Sequence, residues 1–144
     1  MRVVLQRSLE SKVEVEGKVT GSIDNGLVIL VGFTEGDNVE KIDYMVNKIV
    51  NLRIFDDENG VMNKSLLDVG GSILSISQFT LYANTEKGRR PSYVDALRGE
   101  ESIKLYDLFN EKLREFVKVE TGIFGADMKV SITNNGPVTI VMER

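Results

Sequence analysis

The chain has 144 residues, a formal net charge of −4, and neither cysteine nor histidine. Its length fits one domain, residues 1–144, with a hydrophobic core of its own. The missing residue types exclude disulfides, thiolate zinc sites, cysteine nucleophiles, histidine bases and Ser-His-Asp triads. Any catalysis must therefore use hydroxyls, carboxylates, lysines, backbone amides or the substrate itself, and we expect no metal and no other cofactor.

The acidic balance lacks the strongly basic signature of a nucleic-acid-binding domain, so an RNA partner would need a local basic surface. We expect no DNA partner. No stretch approaches the roughly 20 apolar residues of a membrane span. Residues 1–7 have neither a long apolar run nor a small-residue cleavage site. We therefore expect a cytoplasmic protein with no membrane partner.

The first part of the chain predicts several strands and a helix. Alternating apolar residues joined by turn residues predict strands at residues 2–9, 13–15 and 19–23. A nearly unbroken apolar run at residues 27–33 is typical of a strand buried on both faces. Asp37 and Glu40 have capping-box spacing, which predicts a helix with Asp37 as its N-cap. Apolar residues at helical spacing extend this helix to about Asn51.

The remainder of the chain predicts short strands around a second long helix. Short strands are predicted at residues 52–55 and 72–79. The polar residues 80–91 predict a loop, and apolar residues at helical spacing predict a helix at 102–118. Alternating runs at 128–132 and 138–142 predict a closing hairpin or near-hairpin. The predicted fold is α+β, a mostly antiparallel sheet packed with two long helices.

Hydroxyl and amide side chains follow an apolar strand at Ser77, Gln78, Phe79 and Thr80. Such groups at a strand end can line a cleft, where successive backbone N–H groups can face an oxyanion. The competing interpretation is that Ser77 and Thr80 cap the strand and satisfy a turn. Residue types alone favour this competing interpretation.

The segment Asn134-Asn135-Gly136-Pro137 is a second candidate. Its residue types favour a plain hairpin turn. A cis Gly136-Pro137 bond, which has a low prior, would re-aim the flanking carbonyls at a place without large side chains to cover them.

Charged residues form two further candidates. Lys87, Arg89 and Arg90 could meet phosphates, although short cationic runs are usually solvated surface loops. The carboxylates at residues 56–58 could suggest a metal site, but the adjacent Asn59-Gly60 favours a solvated turn.

Together these segments resemble the D-aminoacyl-tRNA deacylase family, also called D-tyrosyl-tRNA deacylases, over essentially the whole chain. The block from Ser77 to Tyr82 resembles the family's S-Q-F-T-L motif, and the block from Asn134 to Thr139 resembles its N-x-G-P-V-T motif. Tyr93 stands where many relatives carry Phe. Shorter blocks in the same order support the resemblance: Leu52-Arg53-Ile54-Phe55, Met62-Asn63, Gly88-Arg89-Arg90-Pro91-Ser92 and Thr121-Gly122-Ile123-Phe124-Gly125-Ala126.

The resemblance implies a homodimer in which the sheets of two subunits form a β-barrel-like core. It implies that Gly136-Pro137 is a cis peptide that reaches into the partner's pocket and faces the α-carbon and ammonium of the aminoacyl group. An L side chain would collide with this backbone, whereas a D side chain would point to solvent. Selectivity would therefore arise by rejection, and achiral glycyl-tRNA would be a further substrate.

The implied activity is hydrolysis of the ester bond of D-aminoacyl-tRNA, with the backbone N–H groups of Phe79 and Thr80 holding the oxyanion. Two roles for Thr80 remain open. Its hydroxyl could attack as a nucleophile, but the sequence offers no partner base. Alternatively, Thr80 and Ser77 only shape the pocket while the 2′-hydroxyl of the terminal adenosine helps to activate water, and we favour this role.

The resemblance also implies that Gln78 orients the ester and that Phe124 and Met128 border the adenosine pocket. Two other functions compete with the hydrolase. One is a non-enzymatic RNA-binding module that uses the cationic loop at residues 87–90, and the other is a purely structural dimer.

Overall fold

The computed structural model describes all 144 residues. It contains two α-helices, α1 and α2, ten strands, β1–β10, and one 3-10 helix. The helices span Val39–Asn51 (α1), Phe79–Tyr82 (the 3-10 helix) and Gly99–Arg114 (α2). The strands span Arg2–Ser8, Ser11–Val15, Lys18–Ile23, Gly26–Gly32, Phe55–Asp56, Met62–Lys64, Ser72–Ser77, Val119–Thr121, Lys129–Ser131 and Asn134–Glu143.

A five-stranded sheet in the order β10-β1-β4-β7-β8 forms the centre of the fold. In this sheet β10 pairs with β1 and β1 pairs with β4 in antiparallel orientation, whereas β4 pairs with β7 and β7 pairs with β8 in parallel orientation. A second sheet has the order β3-β2-β9, and β5 with β6 forms a small hairpin. The α+β class with a mostly antiparallel sheet and two long helices is confirmed.

The two faces of the central sheet pack against different layers. On one face, buried residues of β1 and β4, such as Leu5 and Ile29, join Ile49 of α1 and Phe109 of α2 in one cluster of 20 buried residues. On the other face, a smaller cluster joins β2 and β3 to β4 and β7. The run predicted to be buried on both faces is confirmed, because β4 contributes to both clusters.

The closing hairpin predicted for residues 128–142 is wrong. Strand β9 pairs with β2 in the smaller sheet, whereas β10 pairs with β1 in the central sheet. The β1–β2 segment and the β9–β10 segment run past each other as one bent antiparallel ribbon, joined at the bend by the Leu9 N–H donating to the Thr133 carbonyl. Both strands have the predicted alternation, but their partners lie more than 100 residues away in sequence.

Several predicted boundaries also change. The predicted strand at 52–55 shortens to β5, which starts only at Phe55. The strand predicted at 72–79 ends at Ser77, and the predicted loop at 80–91 begins inside the 3-10 helix. The second helix begins and ends earlier than predicted, so Phe116 lies outside it and is 48% exposed. No helix has the length and apolar character that crossing a bilayer requires.

Asp37 was predicted to be the N-cap of α1, but the structure has Asn38 in this position. The Asn38 side-chain oxygen accepts a hydrogen bond from the Lys41 N–H. The fully buried Asp37 carboxylate instead accepts from the α-ammonium of Met1 at 2.5 Å and from the Thr34 N–H at 2.9 Å. Burial lowers the pKa of the Met1 ammonium, and the Asp37 carboxylate partly opposes this shift.

This buried ion pair predicts a pH-dependent loss of stability in Asp37→Asn. Because the pKa of Met1 is lower when folded, the unfolded chain binds more protons near neutral pH, and stability rises with pH through that window. Without the Asp37 carboxylate the folded pKa falls further. We expect a loss of about 3 kcal/mol at pH 6.5, and a clearly smaller loss at pH 9, where the amine is neutral in both states.

Urea unfolding of wild type and Asp37→Asn at the two pH values measures this difference. Lys41→Gln is the control, because Lys41 also binds Asp37 but is partly exposed, and its change should matter much less. An equal loss for Asp37→Asn at both pH values would contradict the role of the ammonium.

Candidate functional site

A cleft of about 290 Å³ opens where β4 and β7 end, facing the turn between β8 and β9. Gly32 allows β4 to approach this end closely, because a Cβ there would lie 2.7 Å from the Gln78 carbonyl oxygen. Eight of the 14 lining residues are hydrophobic, which suits an organic ligand. Five predicted site residues line the cleft: Ser77, Gln78, Phe79, Phe124 and Met128.

The backbone changes direction at the inner end of the cleft. The Gln78 N–H makes the last bond to β4 by donating to the Val31 carbonyl at 2.8 Å, and the 3-10 helix begins at Phe79. The first N–H groups of a helix have no acceptor within the helix. The N–H groups of Phe79 and Thr80 are therefore donors available to an anionic oxygen at the end of β7.

Thr80 lies beside the cleft and is half-buried. Its hydroxyl oxygen accepts a hydrogen bond from the side-chain amide of Gln78. This amide nitrogen donates hydrogen bonds and is not a base that could take the Thr80 proton. The contact fixes two neighbouring polar side chains and provides no activation of Thr80 as a nucleophile.

Arg2 anchors the far end of the 3-10 helix, a role that the sequence analysis did not predict. Its guanidinium donates to the Leu81 carbonyl at 2.6 Å and lies 4.7 Å from the centre of the Tyr82 ring. The same group pairs with Glu143 of β10. Burial raises the pKa of Tyr82 to about 12, so its hydroxyl stays protonated and the ring remains a neutral packing surface for Arg2.

Tyr106 of α2 supports the opposite wall of the cleft and was also missed. Its hydroxyl donates to the Ser75 carbonyl at 2.8 Å, and its ring centre lies 5.6 Å from that of Phe124. Burial raises the pKa of Tyr106, which keeps the hydroxyl protonated as a donor. Tyr106 thus connects the strand that carries the cleft residues to the aromatic residue facing them.

Gly136 and Pro137 lie in an exposed bulge of β10, and the plain hairpin turn is wrong. The register passes from Gln6 opposite Thr139 to Ser8 opposite Asn134, so β10 has three extra residues there. The peptide bond between Gly136 and Pro137 is cis.

Arg7, a third residue that was missed, supports this bulge from below. Its guanidinium is nearly fully buried and donates to the Asn135 carbonyl at 3.2 Å, the Ile54 carbonyl at 2.9 Å and the Asp56 carboxylate at 3.1 Å. Asp56 is therefore a partner of Arg7 and not a free turn residue.

Within one chain, the bulge is far from the cleft. It lies opposite Arg7, whose neighbours across the sheet are Leu27 and Ile73, whereas Ser77 lies four residues further along β7. Three strand spacings and four residues correspond to roughly 14 Å across and 13 Å along the sheet. Neither Gly136 nor Pro137 lines the cleft of its own chain.

The predicted cationic loop is separate from the cleft. Lys87, Arg89 and Arg90 are exposed, and none of them lines it. Paired backbone hydrogen bonds between Asn84 and Ser92, at 2.8 and 2.9 Å, close the base of this loop. The loop is therefore anchored next to the 3-10 helix while its cations face solvent.

Apart from Asp56, the acidic turn is built as the sequence analysis favoured. Asp57 accepts from the N–H groups of Asn59 and Val61, and these hydrogen bonds lower the pKa of Asp57. Glu58 pairs with Lys64. No group of three or more acidic side chains is arranged to hold a metal ion.

Comparisons with known proteins agree over the whole chain. A family model described as D-Tyr-tRNA(Tyr) deacylase matches residues 4–143. A D-aminoacyl-tRNA deacylase of Bacillus velezensis is 56% identical over 144 residues, which cover 99% of this chain and 98% of that protein. A D-aminoacyl-tRNA deacylase of Clostridium botulinum is 57% identical over 144 residues, which cover 99% of this chain and 97% of that protein.

Solved structures share the fold. A protein described as c-Myc DNA Unwinding Element Binding Protein superposes with a TM-score of 0.94 at 38% identity, covering 100% of this chain and 99% of that one. A probable eukaryotic D-amino acid tRNA deacylase superposes with a TM-score of 0.83 at 20% identity, covering 98% and 97%, and this likeness supports the fold alone.

The anchoring role of Arg2 predicts that Arg2→Ala loosens the 3-10 helix. We expect amide hydrogen exchange at Leu81 and Ala83, whose N–H groups are hydrogen-bonded, to accelerate by about tenfold, because loss of a charged hydrogen bond to the Leu81 carbonyl costs on the order of 1.5 kcal/mol. Glu143→Gln is the matched control, since it breaks the ion pair with Arg2 and leaves the Leu81 contact intact. Equal acceleration in both variants would show that the ion pair, and not the Leu81 contact, holds the helix.

Proposed function

The chain belongs to the D-Tyr-tRNA(Tyr) deacylase family, and we propose that it hydrolyses the ester bond of D-aminoacyl-tRNA to release a D-amino acid and free tRNA. The observation that carries this proposal is the full-length similarity, at 56% and 57% identity, to two curated D-aminoacyl-tRNA deacylases. The cleft is consistent with it, because five of the residues that the resemblance implies line it.

The chemistry proposed for the cleft is stabilisation of an oxyanion by the main chain. The ester of an aminoacyl-tRNA is already activated, so the main need is to stabilise the negative oxygen that forms when water attacks. The N–H groups of Phe79 and Thr80 are available donors at the end of β7. Loss of one such donor typically lowers kcat by about 10²–10³.

Water, and not Thr80, is the nucleophile that the contacts favour. The Thr80 hydroxyl accepts a hydrogen bond from the Gln78 amide and has no base as a partner. The chain has no histidine to supply one. We propose that the 2′-hydroxyl of the terminal adenosine helps to activate water, and that Ser77, Gln78 and Thr80 shape the pocket around the ester.

A homodimer is proposed from the uncovered part of the central sheet. The smaller sheet covers β4 and β7, but the outward residues of β10 remain free, and Val141 is 64% exposed. Pairing this face with its copy would bury apolar strand surface and protect the β10 edge. Such a dimer would give the barrel-like core that the family resemblance implies.

Chiral selection is proposed to occur across that dimer. The bulge at Gly136 and Pro137 is exposed and lies about 20 Å from the cleft of its own chain, but it could enter the cleft of a partner. Its backbone would face the α-carbon of the aminoacyl group and exclude an L side chain, whereas a D side chain would point to solvent. Glycyl-tRNA has no side chain to exclude, so it would also be hydrolysed.

The first test compares D-tyrosyl-tRNA with L-tyrosyl-tRNA as substrates of the purified protein. We expect hydrolysis of the D form alone. Equal rates, or no hydrolysis of either, would contradict the proposal. Salt-sensitive binding of uncharged RNA without turnover would instead support the non-enzymatic RNA-binding module. The solved structure at 38% identity is described as c-Myc DNA Unwinding Element Binding Protein, so binding of a DNA duplex is measured beside binding of RNA as a control.

Gly136→Ala should damage selection more than Thr80→Ser. A Cβ at Gly136 would lie 2.9 Å from a Val138 methyl and 3.1 Å from the Arg7 guanidinium, so the bulge must shift. We expect the ratio of kcat/KM for D- over L-tyrosyl-tRNA, or kcat/KM for the D form, to fall about tenfold or more, against less than about threefold for Thr80→Ser.

Gly17→Ala is the matched control for this variant, because Gly17 also has positive φ but has no neighbour within 4 Å. The reverse ranking, with Thr80→Ser the more damaging change, would remove the proposed backbone barrier.

Thr80→Val and a 2′-deoxy substrate separate the two candidate activators. Valine keeps the shape of Thr80 without its hydroxyl, so we expect kcat to fall by less than about tenfold. A terminal 2′-deoxyadenosine should lower kcat about 10²-fold, as removal of a proton-transfer group typically does. Single-turnover rates measure both, and complete loss with Thr80→Val but not with the deoxy substrate would make Thr80 the nucleophile.

A further inference from the structure

Three side chains form a cluster beside the mouth of the cleft, with Phe79 and Arg98 exposed and Tyr93 half-buried, and none of the proposed chemistry uses these side chains. The Phe79 ring is 48% exposed and contacts Tyr93 edge-to-face, with ring centres 5.2 Å apart. The Arg98 guanidinium lies 5.5 Å from the centre of the same Phe79 ring. We call Phe79, Tyr93 and Arg98 the aromatic platform.

The platform is held in place by the backbone on both sides. Ser92, next to Tyr93, pairs with Asn84, and the Tyr93 carbonyl accepts from the Ala96 N–H at 3.2 Å. The Leu97 N–H, next to Arg98, donates to the Phe33 carbonyl at 2.9 Å, and Phe33 itself lines the cleft. A preorganised surface of this kind binds a ligand without a large ordering cost.

The Arg98 guanidinium is free to bind a ligand. It is exposed and forms no ion pair with any carboxylate, although the chain has 22 acidic residues. A guanidinium can stack on an aromatic face and still donate to a phosphate through its edge. Aromatic rings accept nucleobases by stacking, and a neighbouring arginine binds the connecting phosphates.

The position of the platform indicates which ligand it meets. Phe79 lines the cleft that is proposed to hold the ester and the terminal adenosine, and it is also 48% exposed beside Tyr93. A strand leaving the cleft past Phe79 would therefore meet Tyr93 and Arg98 next. Acidic Asp95 and Glu101 line a groove that Arg98 also borders. Their charge disfavours a phosphate in that groove and directs the strand toward the cationic loop at residues 87–90.

We propose that the aromatic platform binds the single-stranded nucleotides that precede the terminal adenosine of the tRNA. One base stacks on one of the two rings, whose planes lie 67° apart, while the other ring contacts its edge, and Arg98 donates to a phosphate between these nucleotides. This assignment rests on the proposed deacylase function, because it uses the ester in the cleft to orient the strand.

The test compares a long and a short substrate. Tyr93→Leu and Arg98→Gln are assayed with D-tyrosyl-tRNA and with the 3′-O-D-tyrosyl ester of adenosine, which lacks the preceding nucleotides. We expect each variant to raise the KM for the tRNA about tenfold, since a stacked base or its phosphate contact contributes that much, with kcat nearly unchanged. The kcat/KM for the adenosine ester should change less than about twofold.

Tyr44→Leu and Lys48→Gln are the matched controls. Tyr44 and Lys48 form a similar exposed cation–aromatic pair on α1, 5.9 Å apart, away from the cleft. Neither change should alter the KM for either substrate.

A second measurement does not depend on hydrolysis of the short ester. The trinucleotide CCA is used as a competitive inhibitor of the tRNA reaction, beside adenosine alone. The platform variants should raise the inhibition constant of CCA about tenfold and leave that of adenosine unchanged. Sedimentation of each variant shows whether its oligomeric state matches that of wild type.

Three results would overturn the assignment. Equal losses with both substrates would show that the platform only shapes the cleft. A changed oligomeric state would make it a contact between subunits. An unchanged KM for tRNA together with an unchanged inhibition constant for CCA would show that the aromatic platform binds no nucleotide. Failure of the deacylase function itself is distinct, because wild type would then hydrolyse neither substrate.

Discussion

The register of the five-stranded sheet is the constraint on which the site depends. β1 lies between β10 and β4, and a shift of either pairing by one residue would turn its core residues to the other face. This register places the donors at the end of β7 and the bulge of β10 at opposite ends of the sheet. Arg7 then fixes the bulge through carbonyls of two segments, so the bulge faces outward as a rigid surface. Under the proposed mechanism, this chain can supply both parts of one pocket only by pairing with a copy of itself.

The composition explains why the proposed chemistry relies on the main chain. Without histidine or cysteine, the groups that remain at the end of β7 are amide N–H donors and neutral polar side chains. Backbone donors need no proton transfer, and their positions are set by the fold rather than by flexible side chains. The supporting residues therefore matter as much as the lining ones. Arg2 anchors the 3-10 helix by donating to the Leu81 carbonyl, and Tyr106 supports the opposite side of the cleft by donating to the Ser75 carbonyl.

The elements that were predicted correctly depend on local patterns. The end of α1 at Asn51 and the buried strand at residues 27–33 follow from periodicity within a short window. The errors come from contacts between residues that are distant in sequence. Asp37 does not cap α1 because its carboxylate binds the Met1 ammonium, and β9 and β10 do not pair with each other because β9 pairs with β2 and β10 pairs with β1. The motif resemblance pointed to five of the residues that line the cleft, but the contacts of Arg2, Tyr106 and Arg98 follow no local pattern. For Arg7 a signal existed, because Val3, Leu5 and Arg7 alternate on one strand, which places a cation on the core face.

The central claim is that each pocket combines the cleft of one chain with the bulge of another, and co-expression of two inactive variants tests it most directly. Phe79→Pro removes one oxyanion donor at a helix position that tolerates proline, and Gly136→Phe would fill the partner's cleft. Each variant alone should hydrolyse D-tyrosyl-tRNA at least about 10²-fold more slowly than wild type. A mixed dimer would contain one intact pocket, so co-expressed chains should regain a substantial part of the wild-type rate. A mixture no more active than its two parents would contradict the claim.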